Sequence, residues 1–214
     1  MTSFVTRRQI MVDTQVRPSD VTSLPIINAM LKVPREQFLP VERAEAAYMG
    51  ENIPLAPGRV MLAPRTFAKM VEAAQIGLDD VVLVVGAGFG YSAAVLQRIA
   101  KRVVALEEDP SLNHAAEEAL SGYGADHIVG PLTLGAKSAG PFDVILIEGA
   151  VEQIPDALVD QLKPQGRIVA LFSEGQLGTC KVGHKFDGRI EWRNAFTASA
   201  PLLHGFERAP TFAL

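Results

Sequence analysis

Residues 81–96, VVLVVGAGFGYSAAVL, constrain the fold more than any other run in the chain. Five apolar, mostly β-branched residues lead into Gly86-Ala87-Gly88-Phe89-Gly90, and a stretch rich in Ala, Val and Leu follows. That order predicts a buried strand, a tight turn and the start of a helix. Glycine lets such a turn close tightly and lets a ligand approach the backbone, because no Cβ stands in the way. About twenty residues further on, where ribose-binding acids fall, residues 102–109 read RVVALEED and end a second strand in Glu107 and Glu108. An acid at that strand tip accepts hydrogen bonds from ribose hydroxyls. Together the two features place an adenosine-type ligand at the carboxyl ends of two adjacent strands. The competing reading, three glycines serving only a βα turn and helix packing, explains one glycine better than three.

From residue 81 onward the pattern alternates. Strands are predicted at 81–85, 102–107, 126–129, 143–148 and 166–172, with helices at 90–100, 110–121 and 153–162. Alternation of this kind implies an α/β doubly wound, Rossmann-like sheet, mostly parallel and covered on both faces. Two strand-like runs at 179–186 and 190–197 flank Asp187-Gly188, a strong hairpin signal, so an antiparallel hairpin closes the sheet edge. The tail, 201–214, is apolar enough to pack but has no clear period.

The first 78 residues follow a different style, which divides the chain into a helical, loop-bearing extension (1–78) and a binding core (79–214). Helices are predicted at 7–17, ending before Pro18, at 25–33 with Pro25 in the first turn, at 41–48 and at 65–77. Between them, residues 53–64 form a loop dense in Pro and Gly, of the length that usually serves function.

The balance of charge excludes one class of partner. A net charge of −4 and a pI near 5.6 argue against nucleic-acid binding through a basic surface. A single cysteine, Cys180, allows no internal disulfide and points to the cytoplasm. No run is long and apolar enough to span a membrane, and no secretory h-region opens the chain.

With these motifs in order, the chain resembles the protein-L-isoaspartate O-methyltransferase family of class I S-adenosylmethionine-dependent methyltransferases, over about residues 8–172. The resemblance rests on Arg-Gln-Ile-Met-Val (8–12), Val-Pro-Arg-Glu-Gln-Phe-Leu-Pro (33–40), Met61-Leu62-Ala63-Pro64, the glycine turn with Tyr91, and Leu-Lys-Pro-Gln-Gly-Arg-Ile-Val (162–169). It implies S-adenosyl-L-methionine as cofactor, S-adenosyl-L-homocysteine as product, and isoaspartyl-bearing protein or peptide substrates. The cofactor positions that it implies are Val84, Gly86, Ala87, Gly88, Gly90, Tyr91, Glu107, Glu108, Pro131 and Leu132.

Several of these depart from the family pattern. Val84 stands where an acid holds the amino-acid end of the cofactor, and Gly130-Pro131-Leu132 replaces a Gly-Asp-Gly turn at the adenine. Residues 60–64, Val-Met-Leu-Ala-Pro, replace a Thr-Ile-Ser-Gln-Pro type of run, so both hydroxyls beside the transferring methyl are missing. Each lost buried partner costs about 1–3 kcal/mol. The catalytic assignment therefore stays open among Met61, Leu62 and Arg65 of the substrate loop and a possible acid, Glu148. A solvated acid at a strand end is the plainest reading of Glu148. Otherwise it either repels an incoming carboxylate or pairs with the cofactor's ammonium in place of Val84.

Other candidates are read as structural. Asp143 opens a strand, Cys180 and Trp192 pack, and His114, His127, His184 and His204 lack metal-ligand spacing, so no metal is expected. The expected function is S-adenosylmethionine-dependent methylation of L-isoaspartyl and D-aspartyl carboxylates, a protein-repair reaction. The alternatives are the same fold with a different acceptor, or a binding protein with a degenerate cofactor site.

Overall fold

The computed structural model describes residues 2–174 and 177–208. Helix α1 (Phe4–Met11) begins at Ser3, whose hydroxyl accepts the Thr6 N–H at 3.2 Å. The helical path continues through a π-turn, Val12–Val16, and a 3-10 turn, Arg17–Ser19. It thus starts earlier than predicted and runs past Pro18, because proline is tolerated at the start of a new turn where no N–H is needed. Helix α2 (Leu24–Lys32) carries Pro25 in its first turn, as expected. The chain then makes two 3-10 turns, Arg35–Phe38 and Val41–Ala46, in place of the helix predicted at 41–48.

The predicted loop at 53–64 is in large part a β-hairpin. Strands β1 (Ile53–Ala56) and β2 (Arg59–Met61) pair antiparallel around Pro57-Gly58, and Gly58 takes the left-handed conformation at φ 71°. Asn52 clasps the base: its Oδ1 accepts the Ala63 N–H at 2.8 Å and its Nδ2 donates to the Ser199 carbonyl at 3.0 Å. Helix α3 (Pro64–Ala74) follows directly.

The core is a seven-stranded sheet. Its strands are β3 (Val81–Val85), β4 (Arg102–Glu107), β5 (Asp126–Val129), β6 (Phe142–Val151), β7 (Leu162–Glu174), β8 (Leu177–Phe186) and β9 (Arg189–Thr197). The order is β5-β4-β3-β6-β7-β8-β9, with β8 and β9 antiparallel at one edge. This is the doubly wound arrangement with the C-terminal hairpin that the alternation implies. Asp187 and Gly188 both have positive φ, as a tight hairpin turn needs.

Successive residues of a strand point to opposite faces. Val82 and Val84 accordingly join one apolar cluster with Met11, Met30, Phe38 and Phe67 of the N-terminal elements. Leu83 and Val85 join the other, with Phe142, Leu158 and Phe206. Strand β6 outruns its predicted end because the tail lies along it: Ala150 N donates to the Pro201 carbonyl and Leu203 N to the Ala150 carbonyl, both at 2.9 Å. Leu203 and Phe206 are buried there, while residues 209–214 of the predicted tail lie outside the described residues. Three helices complete the layers: α4 (Tyr91–Leu96), α5 (Pro110–Ala119) and α6 (Asp156–Asp160). All three are shorter than predicted, α5 by two residues. After α6, Leu162 is recruited into β7, and the Gln161 side chain turns back to bond Ala136 N and Leu134 O, both at 2.8 Å.

Candidate active site

The order of strand addition reverses between the parallel neighbours β3 and β6, and the carboxyl ends of strands at such a switch point are where open α/β sheets bind ligands. The turn after β3 hangs on β4: Gly86 N and Ala87 N donate to the Leu106 carbonyl at 2.9 and 3.1 Å. Gly86, Gly88 and Gly90 all have positive φ, so the predicted cradle is present as backbone geometry. Glu107 is 1% exposed and is gripped by the backbone: Gly88 N donates to Oε2 at 2.8 Å, and Glu108 N and Asp109 N to Oε1 at 2.9 and 3.1 Å. Asp109 in turn caps α5 through Ser111 N and Leu112 N, which pins the strand tip.

A residue that the sequence did not mark completes this cluster. Arg59, on β2, donates from Nη1 and Nη2 to the two oxygens of Glu107, each at 2.6 Å. Fork-to-fork geometry at that distance is the strongest class of side-chain pairing. Leu55, on β1, lies against the glycine turn; a Cβ on Gly88 would come within 2.6 Å of its Cδ1, and one on Gly86 within 3.2 Å of Arg59 Nη2. S-adenosylmethionine does not fit the cradle with the hairpin in this position, because the ribose acceptor is saturated and the turn is covered. Nor do the two divergent positions offer replacements. The Val84 side chain is fully buried in the core cluster, and Pro131 is exposed. Leu132 is buried, with its N–H 3.5 Å from Glu108 Oε2.

Beside the cradle lies a cavity of about 10 Å³, room for one water at most. Arg35, Tyr91 and Glu148 line it, under a roof of Leu55, Val60, Met61 and Leu62. Arg35 is wholly buried. Its Nε donates to the Ala47 carbonyl at 2.7 Å and its Nη2 to the Leu62 carbonyl at 2.6 Å, which ties the N-terminal turns to the foot of the hairpin. Its Cζ stands 4.8 Å over the Tyr91 ring. Among the described residues Arg35 Nη1 and the Tyr91 hydroxyl find no hydrogen-bond partner. Burial lowers the pKa of Arg35 and raises that of Tyr91, with each opposing the other's shift.

Glu148 is not the solvated strand-end acid of the plainest sequence reading. It lies inside β6, partly buried, and accepts the Ser92 hydroxyl at 2.6 Å. Burial pushes its carboxyl up to about 7, against the pull of Ser92, Arg35 and Arg59 and with the help of Glu107. Of the loop candidates, Met61 and Leu62 are buried at the cavity, whereas Arg65 is exposed at the start of α3 and does not line it.

The residues read as structural sit accordingly. Asp143 accepts Val81 N at 2.8 Å and Lys163 Nζ at 2.7 Å. Cys180 is buried in β8, and Trp192 packs edge-on to Phe172 at 4.8 Å. Neither Arg35 nor Arg59 had been singled out. Arg35 lies in the Val-Pro-Arg-Glu-Gln-Phe run and could have been flagged by that motif; for Arg59, facing an acid 48 residues away, no local signal exists.

Comparison with known proteins shows the family. The family model for protein-L-isoaspartate(D-aspartate) O-methyltransferase matches residues 6–198. The chain is 36% identical over 194 residues to a protein-L-isoaspartate O-methyltransferase of Koribacter versatilis, covering 89% of this chain and 87% of the relative. It is 40% identical over 164 residues to one from Methylorubrum extorquens, covering 76% and 72%. In fold it is similar to a Plasmodium falciparum structure of the beta-aspartate methyltransferase type in complex with S-adenosyl-L-homocysteine, with a TM-score of 0.76 at 16% identity over 95% of this chain and 99% of that one. The glycine cradle, the acid that faces it and the match across nearly the whole chain lead to one conclusion: this protein belongs to the protein-L-isoaspartate O-methyltransferase family.

Proposed function

We propose that the protein is an S-adenosylmethionine-dependent O-methyltransferase acting on carboxylates of L-isoaspartyl and D-aspartyl residues in damaged proteins. The observation that carries this reading is the buried Arg35 guanidinium set against the Tyr91 hydroxyl beside the glycine turn, with Nη1 and the hydroxyl lacking a well-formed hydrogen bond among the described residues. A desolvated guanidinium next to a phenol suits a carboxylate, since charge-assisted hydrogen bonds are the strong ones. Family membership supplies the reaction class.

The remaining groups suit that acceptor. A carboxylate is already nucleophilic, so orientation matters more than a base. Arg35 is itself held by two carbonyls and so presents Nη1 in a defined direction. Glu148, with its carboxyl near 7, is partly neutral at physiological pH and repels an incoming anion less than an ordinary carboxylate would. Leu55, Val60, Met61 and Leu62 exclude water in place of the missing hydroxyls. The partner is then a peptide segment crossing the loop at 53–64 that carries the hairpin. The cytoplasm is the favoured compartment; no described helix is long and apolar enough to cross a membrane.

The test is transfer of a tritiated methyl group from S-adenosylmethionine to an isoaspartyl peptide and to its normal aspartyl counterpart. Base-labile label on the isoaspartyl peptide alone is the expected outcome. No label on either peptide refutes the assignment, and label on some other acceptor favours the same fold with a different substrate.

A further inference from the structure

The Arg59–Glu107 pair has no place in methyl transfer, yet it is the most tightly built polar contact of the site. We infer that the β1–β2 hairpin is a built-in latch, in which Arg59 competes with the cofactor's ribose for Glu107 and Leu55 covers the turn that must receive the ligand. The inference deepens the proposed function and rests on its use of S-adenosylmethionine.

Four observations support it. First, the competition is for the same atoms: Arg59 takes both Glu107 oxygens, the acceptors that the cradle would offer to ribose hydroxyls. Second, the cradle beneath is intact, with its glycines at positive φ and Gly88 N still aimed at Glu107. Third, among the described residues the hairpin's two strands pair by backbone only with each other and not with the seven-stranded sheet, so Ile53 and Met61 at its foot hold it to the core through side chains. Two-stranded hairpins are marginal on their own, so the position of this one depends on the contacts it makes. Fourth, its base is pinned by Asn52 while its tip ends in Pro57-Gly58, so the hairpin can swing about its feet without unfolding α3.

One motion therefore governs two sites. The same hairpin roofs the Arg35–Tyr91–Glu148 cavity through Leu55, Val60 and Met61. Releasing Arg59 opens the cofactor cradle and the acceptor chamber together. The apparent cofactor affinity is then the intrinsic affinity reduced by the fraction of open molecules.

The test is calorimetric titration of S-adenosylhomocysteine into wild type, Arg59→Met and Leu55→Ala. Arg59→Met removes the competitor but leaves Glu107 its three backbone N–H donors; Leu55→Ala uncovers Gly88 without touching Glu107. The expected result is at least tenfold tighter binding by Arg59→Met and a smaller gain by Leu55→Ala. In wild type, saturating ligand should also speed amide hydrogen exchange across 53–61. Equal affinity in all three proteins overturns the latch and leaves the methyltransferase reading standing. Failure of all three to bind at millimolar ligand overturns both. Should Arg59→Met lose its cooperative thermal transition, the Leu55→Ala comparison decides, and unchanged affinity there refutes the latch.

Discussion

Replacing Glu148 by Gln isolates the acid of the site whose carboxyl is raised by burial. The wild-type carboxyl is raised from 4.5 to about 7 by burial, so the folded state holds its proton more tightly than the unfolded chain does. Stability from this group is therefore present below the unfolded value and is lost as pH rises through about 7. A shift of that size corresponds to about 3 kcal/mol, reduced to about 2 because the residue is only partly buried. Gln is neutral throughout and can still engage the Ser92 hydroxyl, so the variant lacks this dependence. The groups that face the site from other elements, Arg35, Arg59, Glu107 and Tyr91, are common to both proteins and cancel in the comparison. Urea unfolding at about pH 5 and about pH 8.5 should show the variant gaining about 2 kcal/mol on wild type between the two conditions. In thermal scans that is about 4–8 °C for a chain of this size. A difference between variant and wild type that stays constant with pH refutes the burial-driven shift.

Two further outcomes follow from the structure. Arg35→Met leaves the Ala47 and Leu62 carbonyls without their donor, and should cost about 2–4 kcal/mol and lower the melting temperature by about 5–15 °C in circular dichroism; an unchanged melting temperature would show that Arg35 is not structural. Cys180, with its thiol pushed to about 12 by burial, should resist alkylation by iodoacetamide in the native protein and react only after unfolding; fast native labelling would contradict its packing in β8.

What could be read from the chain alone is what neighbours in sequence decide. The turn at residues 86–90 needs glycine conformations and contains glycines. The strand tips of β3 and β4 follow from apolar runs that end in that turn and in Glu107. The C-terminal hairpin follows from Asp187-Gly188. These are local requirements of backbone sterics and hydrophobic periodicity, and they suffice for the layer architecture. The hairpin at 53–61 was missed because each of its strands is too short to show a period, and proline and glycine at its tip read equally well as loop.

The state of the site was decided only in three dimensions. Glu107 carries the same motif whether it meets a ribose or a guanidinium, and Arg59 reaches it across 48 residues of chain. Glu148 has an ordinary sequence context; its raised pKa comes from burial among elements that converge on it only in the fold. Arg35 lies 27 residues from the Leu62 carbonyl that it holds. Charge pairing and desolvation depend on distance in space, so the sequence by itself determined the cradle, and the tertiary structure decided what lies in it.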